Sequence, residues 1–221
     1  MPKPKDYYQK KQEIDDFKQK LSQQPLTKEE KKDRRELIRS FTKDVEPLQA
    51  KGFNIFIDQL EKKAIRMNGA AAGKYELEYK AVAGDLELLK LAYYTQAKGY
   101  TIKGIEIEVF LEDAQGDIDL IATKGNTLLV LFESKTGKNV RTKDLVFKTA
   151  VVYGAFVSSD DINDYVSDLN SDYQKKLILH IPDALYHIGQ NEIDYLNDGF
   201  LANFGEWKFL RNINDLNTDI I

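Results

Sequence analysis

The stretch GDIDLIATKGNTLLVLFESK, residues 116–135, limits the fold more than any other part of the chain. It reads as two apolar strands, 117–122 and 127–135, with a tight hairpin turn at Lys124-Gly125-Asn126 between them. Yet Asp119, Glu133 and Lys135 stand inside those strands, where an ionised side chain is costly unless it is paired or holds a metal. Residues two apart on a strand share a face, so Asp117 and Asp119 point one way, and Glu133 and Lys135 also share a face. Counted from Gly125, Asp119 is six residues back and Glu133 eight forward, which sets them at about the same level of the sheet. Two carboxylates that close resist ionisation unless a hard divalent cation lies between them. Lys135 would then lie beside whatever that cation activates.

The chain has no Cys and only two His, so thiolate zinc sites, disulfides and a cysteine nucleophile are excluded. A metal must be held by oxygen, which points to Mg²⁺, Mn²⁺ or Ca²⁺. With 221 residues, 42% of them apolar, there is enough chain for one sizeable core and an appendage. No run of eighteen apolar residues occurs and the first twenty residues are polar throughout, so we expect a cytoplasmic protein without a membrane partner. The net charge of −4 conceals an asymmetry: residues 1–66 carry 17 Lys and Arg against 12 Asp and Glu, leaving 15 against 24 for the rest. A basic arm on an acidic body fits nucleic-acid binding, and equally a solvated helical surface.

Residues 6–22 place Tyr7, Ile14, Phe17 and Leu21 at helical spacing. Thr27-Lys-Glu-Glu30 is a capping box that opens a second helix, with a stripe of Leu37, Ile38, Phe41, Val45 and Leu48. A third segment, 53–67, carries Phe56, Ile57, Leu60 and Ala64. Asn68 to Gly73 is small and glycine-punctuated, which divides the chain into a helical N-terminal arm, 1–67, and a second domain, 74–221. In that domain 84–98 is a largely buried helix stopped by Gly99, and 100–111 a strand with a wet face. Residues 142–155 have helical spacing, and 176–181 form a short strand. The tail, with Leu196, Phe200, Phe204, Trp207 and Leu210, is expected as helix and loop. The fold class is α/β, a mixed central sheet flanked by helices.

Gly116-Asp-Ile-Asp119-Leu-Ile-Ala, a turn, and an apolar strand ending Glu133-Ser-Lys135 resemble the PD-(D/E)xK nuclease superfamily, the restriction-endonuclease-like fold. The resemblance covers roughly residues 84–181. It implies that Asp119 and Glu133 bind the metal, Mg²⁺ or Mn²⁺, and that Lys135 positions or activates the attacking water. A further ligand of that family comes from the helix before the first strand, a place that Glu87 fits. No proline precedes Asp119, and Ser134 stands where a small apolar residue is more usual.

The reading is a Mg²⁺-dependent nuclease that hydrolyses phosphodiester bonds, DNA before RNA, with Asp119, Glu133 and Lys135 catalytic and Asp119, Glu133 and Glu87 holding metal. Lys138, Arg141, Lys143 and Lys148 follow the active lysine and are expected either to hold phosphates or to form a solvated face. Two other readings stand beside it. One is a catalytically idle module that binds nucleic acid or protein; the other is a toxin-like nuclease controlled by an inhibitor protein. A homodimer is the other protein assembly considered. Asp117 is read as the exposed end of its strand or a supporting acid. Glu106, Glu108, Glu112 and Asp113 are read as the wet side of the first strand, and His180 and His187 as packing residues.

Overall fold

The structure, a computed structural model, describes residues 7–21, 27–43, 45, 50–66, 72–112, 114–135, 148–181, 190–195, 197, 206–210 and 215–216. The chain divides into two compact units, Met1–Gly99 and Tyr100–Ile221.

The first unit is helical: α1 (Tyr7–Leu21), α2 (Lys28–Thr42), α3 (Phe53–Arg66) and α4 (Ala72–Ala97). The capping box forms as its residue types require, with Glu30 N–H donating to Thr27 Oγ1 at 3.3 Å and Thr27 N–H to Glu30 Oε2 at 2.7 Å. The predicted stripes are the buried faces: Ile14, Phe17 and Leu21; Ile38 and Phe41; Phe56, Leu60 and Ala64. Arg34 lies among them, its guanidinium over the Phe17 ring and donating to Ala64 O at 2.7 Å, near the end of α3. α4 begins at Ala72, well before the expected start at Gly84. The intervening residues, rich in Ala, Glu and Lys, favour helix strongly enough to carry it through Gly84, whose cost is about 1 kcal/mol. α4 packs on α1 and α3, and the first compact unit runs on through it to Gly99. No described helix is long and apolar enough to cross a membrane.

The second unit is built on a five-stranded mixed sheet, which bears out the α/β expectation. β1 (Thr101–Leu111), β2 (Ala114–Lys124), β3 (Leu128–Ser134), β4 (Gln174–His180) and β5 (Glu206–Leu210) lie side by side in sequence order. The β1–β2 and β2–β3 pairs are antiparallel, and β3–β4 and β4–β5 are parallel. Gly125, at φ +57, turns the β2–β3 hairpin through a conformation that costs a Cβ-bearing residue most. β5 corrects the expectation of helix and loop in the tail. Its five residues are too few for a clear alternation, and its pairing is set by β4, with Lys176 reaching Glu206 at 2.9 Å. Residues 196, 200 and 204 lie outside the described residues.

Between β3 and β4 the chain runs through a π-helical turn (Thr149–Tyr153) into α5 (Gly154–Ser158), followed by the short α6 (Asn163–Val166). Val152, Tyr153, Phe156, Val157, Ile162 and Tyr165 close over Ile121, Leu129, Leu131, Leu177 and Leu179 of the sheet. This apolar layer excludes water beneath the charged end of β2 and β3.

Candidate metal centre

Lys124 pairs with Leu128 across the turn, and the register runs outward to Leu120 opposite Phe132. One step further along the same register, Asp119 stands across from Glu133. Both are buried, at 4% and 0% exposure, and Ser134 N–H donates to Asp119 Oδ2 at 2.5 Å. The expected meeting of the two acids is therefore what the hairpin produces. Lys135 joins them: its Nζ lies 2.6 Å from Glu133 Oε1.

The β1 side adds what the sequence reading had assigned to solvent. Ile105 pairs with Leu120 and Ile107 with Ile118, so Glu106 lies between those pairs, facing Asp119. Glu106 has φ +48, a left-handed conformation rare for a glutamate in a strand and of a kind that gathers at functional sites. Carboxylate oxygens of Glu106, Asp117 and Asp119 all lie within 4.8 Å of one another. Three hard oxygen donors so placed suit Mg²⁺, Mn²⁺ or Ca²⁺. Asp117 is thus a member of the cluster and more than a strand end.

The turn after β3 supplies two further groups. Lys148 Nζ lies 3.2 Å from Asp117 Oδ2 and 3.4 Å from Glu133 Oε2. The Tyr153 hydroxyl is 2.7 Å from Glu133 Oε2 and 2.8 Å from Phe132 O, and accepts from Asp119 N–H at 3.2 Å. A π turn brings residues five apart onto one side, which is how Lys148 and Tyr153 reach the same carboxylate. Gly116 lets this turn come close: a Cβ there would stand 3.0 Å from Val152 Cγ2.

The electrostatics follow from burial. Burial, then the charge of Glu133, pushes the Asp119 carboxyl well above the usual carboxylate range, only partly offset by Lys135 and Lys148. Burial works to depress the Lys135 ammonium, but the charges of Asp119 and Glu133 outweigh it and hold it above the ordinary lysine value. Burial also raises the Tyr153 hydroxyl, with Glu133 and Asp119 adding to the effect. At neutral pH both Lys135 and Tyr153 keep their protons and act as donors. Tyr153→Phe should destabilise the protein by about 1–3 kcal/mol, because it leaves a buried Asp119 N–H without the Tyr153 acceptor and removes the hydroxyl donor to Glu133, which keeps its two lysines. A denaturation midpoint unchanged from wild type would contradict that role.

Glu87, in the helical unit, is buried and ion-paired to Lys18 and Lys90; burial raises its carboxyl, yet those two charges bring it below the usual range. Lys138, Arg141, Lys143 and His187 lie outside the described residues. His180 is buried at the end of β4, with Nδ1 2.8 Å from Ser134 Oγ, which accounts for a hydroxyl where an apolar residue is more usual.

No protein-family model matches the chain, and no curated protein matches it. Among solved structures it is similar to Can2 from Sulfobacillus thermosulfidooxidans in complex with cyclic tetra-adenylate, at 13% identity and a TM-score of 0.37. The match covers 82% of this chain and 53% of that one, so the chain spans about half the length of Can2. A likeness that distant carries nothing about the site.

Proposed function

We propose that this chain is a metal-dependent nuclease of the PD-(D/E)xK type, hydrolysing phosphodiester bonds of nucleic acid, DNA before RNA. The supporting observation is the charge balance at the end of β2 and β3. Among the described residues, four carboxylates, Glu106, Asp117, Asp119 and Glu133, meet two ammonium groups, Lys135 and Lys148. If all are ionised, two negative charges remain, which is the charge of one divalent cation. Mg²⁺ or Mn²⁺ at Glu106, Asp117 and Asp119 would supply Lewis acidity toward a phosphoryl oxygen and toward water.

The chain's own groups do the rest. Lys135, kept protonated by its two acids, is no general base; it presents a fixed positive charge to the phosphoryl group as negative charge develops. Its compact ammonium suits that task better than a guanidinium fork. Glu133 anchors both lysines, and Tyr153 holds Glu133 and the Asp119 backbone in one geometry. Glu87 takes no ligand's role in this reading, because Lys18 and Lys90 already meet its charge.

Plasmid, single-stranded DNA and RNA, each incubated with the protein in Mg²⁺, Mn²⁺, Ca²⁺ or EDTA, test the proposal. Cleavage is expected with Mg²⁺ and Mn²⁺ and is lost in EDTA. Undiminished cleavage in EDTA would overturn it, and binding with no cleavage under any condition would favour the idle binding module.

A further inference from the structure

Lys148 occupies a place that the resemblance does not account for. Its Nζ bridges two carboxylates from neighbouring strands, 3.2 Å from Asp117 Oδ2 and 3.4 and 3.5 Å from the two oxygens of Glu133. Asp117 belongs to the acidic trio, whereas Glu133 lies outside it. An ammonium that touches a carboxylate of the trio on one side and an outlying carboxylate on the other is held as the second ion of a two-metal site would be, by acids that neighbour or belong to the first ion's set.

We propose that Lys148 is the second cation of this site, built into the chain, so that each protein molecule takes one divalent ion and not two. The inference rests on the metal-dependent reading above and deepens it. Three observations support it. Among the described residues the two lysines leave a negative excess that one divalent ion neutralises, while a second ion would turn that set net positive by two. The π turn fixes Lys148 and Tyr153 on the same carboxylate, so the lysine is held in place by the helical backbone and not only by its charge. Gly116 lets the turn that carries Lys148 approach β2: a Cβ there would stand 3.0 Å from Val152 Cγ2, and the Lys148 stem lies in ordinary contact range of the same point, at 3.7 Å.

Counting Mn²⁺ ions bound per full-length chain, by calorimetry and by electron paramagnetic resonance, tests the proposal. Wild type is expected to bind one. Lys148→Met, which keeps the stem and removes the charge, should bind a second Mn²⁺ between Asp117 and Glu133, and its cleavage rate should rise with the square of Mn²⁺ concentration at low occupancy. Lys148→Arg, which keeps the charge, should stay at one and shows that substitution at this position leaves the site folded. Two ions on wild type, or one on Lys148→Met, would overturn the inference and leave the nuclease reading standing. No Mn²⁺ binding by wild type would overturn both.

Discussion

Lys135→Met is expected to lower cleavage by about 10² or more, the scale for removing one preorganised charge from a water-poor site, while Mn²⁺ binding survives. An ammonium is no ligand, and the three acids that suit the metal do not depend on it. The fold should survive as well, because Glu133 keeps Lys148 at 3.4 Å and the Tyr153 hydroxyl at 2.7 Å after Lys135 is gone. Lys135→Arg should also be impaired, since a planar fork cannot occupy the space of a compact ammonium 2.6 Å from Glu133 Oε1. Cleavage rate and calorimetric Mn²⁺ affinity measured on the same Lys135→Met preparation decide the matter. Metal bound with cleavage lost assigns Lys135 to the chemistry; cleavage retained removes it.

Asp119→Asn should abolish cleavage and, in the absence of metal, make the folded protein more stable. The amide oxygen still accepts from Ser134 N–H, and the amide N–H₂ can donate to Glu106 or Asp117, so the substitution removes a buried charge and little else. The pH dependence follows from the direction of the shift. Because the folded-state carboxyl of Asp119 lies above its unfolded value, the folded protein binds the extra proton, and stability falls as pH rises from the ordinary carboxylate range through the raised value. Below that window wild type and Asp119→Asn should unfold alike. At neutral pH the variant should lead by roughly 1.4 kcal/mol for every tenfold change in the proton affinity of Asp119. Added Mn²⁺ should close the gap by stabilising wild type alone. Equal stability at all pH values, with and without Mn²⁺, would show that Asp119 carries no strained charge.

The hairpin was legible in the sequence because its information is local. The alternation of 117–122, the turn at Gly125 and the second apolar run fix a register, and that register is enough to bring Asp119 to Glu133 and to set Lys135 on the same face. Glu106 was not legible by the same means. In the run Ile105-Glu-Ile-Glu-Val109 it has the appearance of a solvent-facing position, and only the pairing with β2 and the backbone at φ +48 turn it toward Asp119. Lys148 stood among several basic residues with nothing to single it out, and Tyr153 was not singled out at all, because a helical period of 3.6 does not anticipate a π turn. β5 depended on a parallel partner far back in the chain, which no local pattern records. The early start of α4 came from weighing the glycines of 69–84 above the strong helix formers between them.

The most direct test of the account is the Mn²⁺ affinity of Glu106→Gln set against that of Glu112→Gln. Glu106 enters the site only through the strand pairing and its unusual backbone, whereas Glu112 is an exposed acid just past the end of β1. Calorimetric titration should give wild-type Mn²⁺ affinity for Glu112→Gln and an affinity at least about tenfold weaker for Glu106→Gln, the loss of about 1.4 kcal/mol or more from one charged ligand. Mn²⁺ bound by Glu106→Gln as tightly as by wild type would contradict the metal centre described for this protein.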